Sequence, residues 1–290
     1  MHERDTSHLL AEFTPTRRVV VEWTVLGLGL TLVAGLVGGT VYAAGTGQTD
    51  IGFQISDYES ALNGFVWAAL LTVAVIGLHE AIHAAVIRRY GGDASFGLGI
   101  AQFALPYAYV TTTQRLNRNQ FIVVSLAPIV VITALGVPLM LALDAPVLIV
   151  PLALNAGGAI GDLWMAGVLL RFPSHVVVED FGTGMRIYGR TRDEPVRLTR
   201  ERTLLKRTVL GTTLCFGLLL LVGAVTPVLL GLLGVQSFTL GVPDSPWNVF
   251  SFTGGSTGFE ARINPLGGVA VSVVLGVVYA LGTASRTQTT

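Results

Sequence analysis

From Trp23 to Ala44 the chain carries no charged side chain. A helix needs about 20 mostly apolar residues to cross the hydrocarbon core of a bilayer, where no water can satisfy the backbone. Five further runs approach or meet that demand: Ala61–Ile87, Phe121–Leu143, Val147–Leu170, Val209–Leu233 and Gly267–Leu281. The last reaches spanning length when counted from Pro265 to Ala284. The first run is longer than the roughly 7–15 residues of a secretory signal's apolar region, so it reads as a retained span. Composition points the same way: 12% of the 290 residues are charged and 51% are hydrophobic. A soluble domain carries about 25% charged residues, and a disordered chain carries few apolar ones. The expected fold is an all-α integral membrane protein of about six transmembrane helices. A short re-entrant or β-hairpin segment and a small cytoplasmic hairpin complete it.

The basic residues orient these spans. Seventeen of the 18 Lys and Arg fall before the first run, between the second and third, between the fourth and fifth, or after the sixth. Arg262 is the exception. Positive residues collect on the cytoplasmic side, so both termini are expected in the cytoplasm of a multi-pass cell-membrane protein. The chain then divides into five parts. A cytoplasmic tail (1–22) leads to spans one to four (23–170), whose core is 61–170. A cytoplasmic segment (171–207) leads to spans five and six (208–284) and a cytoplasmic tail (285–290). Net charge is zero, so no global field favours nucleic acid. The expected partners are the lipid bilayer and a membrane-protein or peptide substrate.

Two connections are more than simple loops. Residues 94–113 read ASFGLGIAQFALPYAYVTTT, apolar and rich in Gly and aromatics. Two readings stand side by side: an interfacial loop, or a β-hairpin or re-entrant segment covered by protein. In the second reading Tyr107 and Tyr109 are candidate substrate-binding residues. The stretch HVVVEDFGTGMRIYG, from His175 to Gly189, pairs two strand-like runs around a Gly-containing turn and predicts a cytoplasmic hairpin.

The second span contains His79-Glu80-Ala81-Ile82-His83. In this H-E-x-x-H pattern the two His stand at i and i+4 on one helix face and can hold one zinc ion. Glu80 is placed to act as general base on a water at the metal. Three ionisable residues inside a spanning helix are costly and need a compensating partner, which a metal supplies. A single cysteine, Cys215, excludes a Cys-rich site.

Catalytic zinc takes three protein ligands and leaves one position open. Asp162 is the acid deepest in a span besides Glu80. His79 lies nine residues before Arg88, and Asp162 lies nine before Arg171. At 1.5 Å per residue both sit about 13 Å above the basic boundary, level with one another. Asp93, His175 and Asp180 are weaker rivals outside the spans, and His2 and His8 read as solvated tail residues. Asn155 stands two turns above Asp162 on the same face. It is a candidate for bonding substrate or oxyanion, and equally for bonding a neighbouring helix. Pro128 and Pro138 read as kinks in the third span, without chemistry.

H-E-x-x-H in one span, Leu126-Ala127-Pro128 in the next, then Asn155 through Gly161-Asp162 resemble the site-2 protease type of intramembrane metalloprotease. The likeness is greatest to the polytopic families called putative zincin peptidases, and it covers about Ala61 to Tyr188. Here Asp162 is followed by Leu163, where the site-2 motif has Gly. The resemblance implies zinc held by His79, His83 and Asp162 with Glu80 as base. The activity it implies is zinc-dependent hydrolysis of peptide bonds in membrane-embedded substrates. The competing reading is a non-catalytic membrane protein whose polar residues form a structural metal site or an ion or proton path.

Overall fold

The structure is a computed structural model that describes residues 8–47, 58–100, 106–182, 184–194, 204–242, 250–255, 258–263 and 265–285. The middle of the 94–113 segment (101–105) and His2 lie outside the described residues. Four helices or helical runs are long and apolar enough to cross a membrane. They are α1 (Arg17–Thr46), α2 (Tyr58–Arg89), α3 (Arg118–Ala142) and a fourth, Pro146–Leu169. The fourth run is not one helix. A short 3-10 turn, Pro146–Leu148, leads into α4 (Ile149–Gly158), and α5 (Ile160–Leu169) follows a break at Ala159. Helices α6 (Leu204–Leu232) and α7 (Pro265–Ser285) occupy the positions of the expected fifth and sixth runs.

The chain is mostly helical, but it carries more sheet than an all-α reading allows. Residues 95–100 (β2) and 106–111 (β3) form an antiparallel hairpin in strict register, Ser95 opposite Thr111 and Leu98 opposite Ala108. The second expected hairpin is also present, as β5 (Val177–Asp180) and β6 (Met185–Gly189). It belongs to a four-stranded sheet with β1 (His8–Phe13) and β4 (Leu116–Asn117), in the order β1-β6-β5-β4. A third sheet, β7 (Ser237–Leu240), β8 (Phe250–Gly255) and β9 (Gly258–Ile263), lies between α6 and α7 in sequence.

Pairing of β1 with β6 puts the amino-terminal strand and the 177–189 segment on the same side of the helices. Met185, Ile187 and Gly189 alternate inward along β6, while Arg186 and Tyr188 point outward. Met185 and Ile187 pack with Leu116, Leu169, Phe172, Val176 and Val178 in the main apolar core. On the outer face Arg115 and Arg186 both pair with Glu179, and Arg186 also meets Glu12. An aromatic cluster of Phe13, Trp23 and Trp164 ties β1, α1 and α5 together, with Phe13 and Trp164 centroids 4.0 Å apart.

Two local devices fix the helices around the site. Asn117 and Gln120 form a reciprocal capping box at the start of α3, each bond 3.0 Å long. Such a cap contributes about 1 kcal/mol and sets the helix start. Small residues let α1 and α4 approach backbone to backbone. A Cβ added at Gly27 would lie 2.7 Å from the Gly157 carbonyl oxygen, and one at Gly157 would strike Thr31 Oγ1 and the Gly27 carbonyl. Packing of this kind holds membrane helices together where no hydrophobic force distinguishes helix from lipid.

Candidate metal centre

Helix α2 carries His79 and His83 one turn apart, so both rings project from one face. Their Nε2 atoms are 3.1 Å apart. Asp162 Oδ2 lies 3.3 Å from Nε2 of His79 and 3.6 Å from Nε2 of His83. Donors about 2.0–2.1 Å from one zinc ion at tetrahedral angles stand roughly 3.3–3.4 Å from each other. The three observed separations bracket that value, so the residues fit a zinc ion.

The ring protons follow from the partners on the far side. Nδ1 of His83 donates to the Val124 carbonyl at 2.8 Å. A carbonyl can only accept, so Nδ1 carries the proton and Nε2 of the neutral ring presents a lone pair. Nδ1 of His79 donates to Asn155 Oδ1 at 2.9 Å, with the same consequence. Two nitrogen lone pairs and a carboxylate oxygen therefore face one point inside an apolar bundle. A cation there relieves their mutual repulsion.

Each neighbouring helix contributes through a departure from regularity. In an unbroken α-helix the N–H of residue 128 would donate to the Val124 carbonyl. Pro128 has no N–H, so that carbonyl lacks its helical donor and serves His83 instead. Pro128 thus has a role at the site that the sequence reading did not assign. The signal was present in the sequence: a proline within a helix releases the carbonyl four residues earlier. The break at Ala159 puts Asp162 in the first turn of α5, where the positive end of the helix dipole favours a carboxylate.

Asn155, on α4 and 6% exposed, bonds the adjacent helix through His79. Among the described residues its Nδ2 has no protein partner. Glu80 stays outside the converging group, about 100° round the helix from His79. It lines a cleft of about 230 Å³ with Gly77, Phe96, Gly97, Leu98 and Ala108. Tyr109 pairs with Gly97, and its ring covers that glycine. Strand alternation puts it on the opposite hairpin face from Leu98 and Ala108. Tyr107 pairs with Gly99, and its side chain lies outside the described residues.

Among the described residues, His79, His83 and Asp162 are the group whose ligand atoms converge. Asp93, His175 and Asp180 are not among the converging ligands. His175 Nε2 pairs with Asp193 Oδ2 at 2.8 Å. Asp180 accepts a bond from the Gly182 N–H, and burial pushes its carboxyl above the usual carboxylate range.

Two imidazoles and a carboxylate, partly buried and with a glutamate adjacent on the same apolar helix, are a donor set that could hold a zinc ion. The family model described as "Putative zincin peptidase" matches residues 72–177. That stretch runs from within α2 to the start of β5 and contains His79, Glu80, His83, Asn155 and Asp162. No curated protein and no solved structure matches the chain.

Proposed function

We propose that this chain is an intramembrane zinc metallopeptidase that hydrolyses peptide bonds of membrane-embedded substrates. In this reading it crosses the cell membrane six times, with both termini and the 171–207 segment cytoplasmic. The observation that carries the proposal is the convergence of three acceptor atoms within helices otherwise apolar. Partial overlap with a zincin family supports it.

His79, His83 and Asp162 would hold the zinc. Bound zinc supplies Lewis acidity and brings the pKa of water down to about 7. Glu80 accepts the proton of the attacking water as the new C–O bond forms at the peptide carbonyl. It returns that proton to the amine nitrogen as the C–N bond breaks. Asn155 and the Val124 carbonyl keep both imidazoles in the tautomer that points Nε2 at the metal. A helical substrate hides its amides in internal hydrogen bonds and must unwind first. Among the described residues the β2–β3 hairpin joins no further strand, so its edge is available to pair with an unwound segment.

Metal analysis and proteolysis separate this reading from a structural metal site. Purified wild type should hold about one zinc per chain, and His79→Ala should lose it. Glu80→Gln should keep the zinc while cleavage of a membrane-embedded substrate falls at least ~100-fold, the lower range for losing a general base. Wild-type proteolysis in Glu80→Gln removes Glu80 as the base. Zinc loss in that variant as complete as in His79→Ala makes Glu80 a ligand and ends the open-site mechanism.

A further inference from the structure

The cleft beside Glu80 has a composition that the hydrolytic chemistry does not explain. Gly77 precedes Glu80 by three residues, so the two share a face of α2. A Cβ added at Gly77 would meet nothing within 4 Å. Opposite stand Phe96, Leu98 and Ala108 of the hairpin, Leu98 and Ala108 being direct cross-strand partners. Glu80 is the one charged side chain in the lining, and every other lining residue is apolar or glycine. An apolar cavity of roughly 150 Å³ holds a benzene ring. The cleft here is open on one side, where Leu98 is 85% exposed, and its volume of about 230 Å³ has room for a leucyl or phenylalanyl side chain that keeps part of its surface outside.

We infer that this cleft is the specificity pocket for a bulky apolar side chain next to the scissile bond, with Gly77 setting its depth. The inference rests on the peptidase reading and adds the substrate class. A peptide extended along the hairpin turns alternate side chains to one side. With its scissile carbonyl between Glu80 and the converging His and Asp atoms, an adjacent side chain enters the space above Glu80. Glycine at 77 leaves that space open. A Cβ at 77 meets nothing within 4 Å, so a larger side chain there extends into this space.

The test uses zinc-loaded full-length protein in detergent and two dipeptide hydroxamates that differ in one side chain, isobutyl against methyl. Binding is read by calorimetry. A single methylene in an apolar pocket discriminates 10–200-fold, so wild type should prefer the isobutyl compound at least ~10-fold. Gly77→Leu should keep the affinity for the methyl compound and reduce the preference to about twofold or less. Gly64→Leu, at another open glycine of α2 remote from the cleft, should behave as wild type. Equal binding of both compounds by wild type, as when a lipid chain fills the cleft, overturns the assignment. So does a full isobutyl preference in Gly77→Leu. Failure of the peptidase reading looks different: wild type would take up no zinc and bind neither compound, and the pocket would fall with it.

Discussion

Asn155 gives the most quantitative handle on how the site is held. Its Oδ1 is the acceptor for His79 Nδ1, 2.9 Å away and buried. Asn155→Leu keeps the branched shape of the side chain, adds some bulk and removes that acceptor. The His79 N–H is then left unpaired in a partly buried position whenever Nε2 faces the metal, at a cost of up to about 1–3 kcal/mol. Loss of such outer partners typically lowers metal affinity about 10–100-fold. That is roughly 1.4–2.7 kcal/mol, within the same range. The fold should suffer less than the site. Asn155 Nδ2 has no protein partner among the described residues, so the substitution also removes a buried donor that is unmet. Zinc affinity, measured by competition with a fluorescent chelator at fixed pH, should fall 10–100-fold in Asn155→Leu. The thermal midpoint of the metal-free protein should stay near wild type. Asn155→Asp, which keeps an acceptor at the same place, should retain zinc at least as tightly as wild type. The reasoning is refuted if Asn155→Leu binds zinc within twofold of wild type, or if the Asp variant loses as much as the Leu variant.

Gly157→Leu should force α1 and α4 apart, because any side chain there meets Thr31 and the Gly27 carbonyl. A destabilisation of about 1–3 kcal/mol is expected for overpacking, read as a lower thermal midpoint in detergent. Gly158→Ala, whose Cβ would meet nothing within 4 Å, should be neutral or stabilising by about 0.5–1 kcal/mol. Equal behaviour of the two variants would mean that the close approach is not what holds α4. A cysteine placed at Thr191 should resist a membrane-impermeant maleimide added outside intact cells and react after permeabilisation. Labelling from outside would reverse the proposed orientation.

The helices were the most legible part of the sequence, because a long uncharged apolar run in lipid has few alternatives to a helix. The sheets were legible only where both strands lie close in sequence. The β5–β6 hairpin announces itself through two β-branched or aromatic runs around Gly182 and Gly184. Its partner β1, His8–Phe13, is six residues of a tail that pair with a strand more than 170 residues away, and local pattern cannot report such a contact. Nor did anything local mark β7, whose residues are all exposed. Of the three residues that converge, His79 and His83 were legible as a pair from spacing, and Asp162 from depth counted against the basic boundaries. Asn155 was legible as a polar residue within a span, but not its choice of His79 as partner, which depends on how α4 rotates against α2.

Departures from regular helix geometry complete the site. Helix α2 alone supplies two imidazoles but no means to choose their tautomer, since a regular neighbouring helix offers lipid-facing side chains and carbonyls already engaged in its own ladder. Pro128 removes one N–H from α3 and so releases the Val124 carbonyl for His83. The break at Ala159 ends α4 just below Asn155 and starts α5 just above Asp162. One polar residue reaches the outer nitrogen of His79 from α4, while another meets its inner nitrogen from α5. The fourth run therefore brackets a single imidazole ring from both sides. Residues 155 and 162 are seven apart in sequence, about 10.5 Å along an ideal helix axis. An imidazole lying between them can span such a gap only with its two nitrogens turned toward opposite ends, the orientation His79 adopts here. Substituting Asn155 should consequently disturb the angle at which His79 meets the metal as well as its protonation, while leaving Asp162 in place on its own helix.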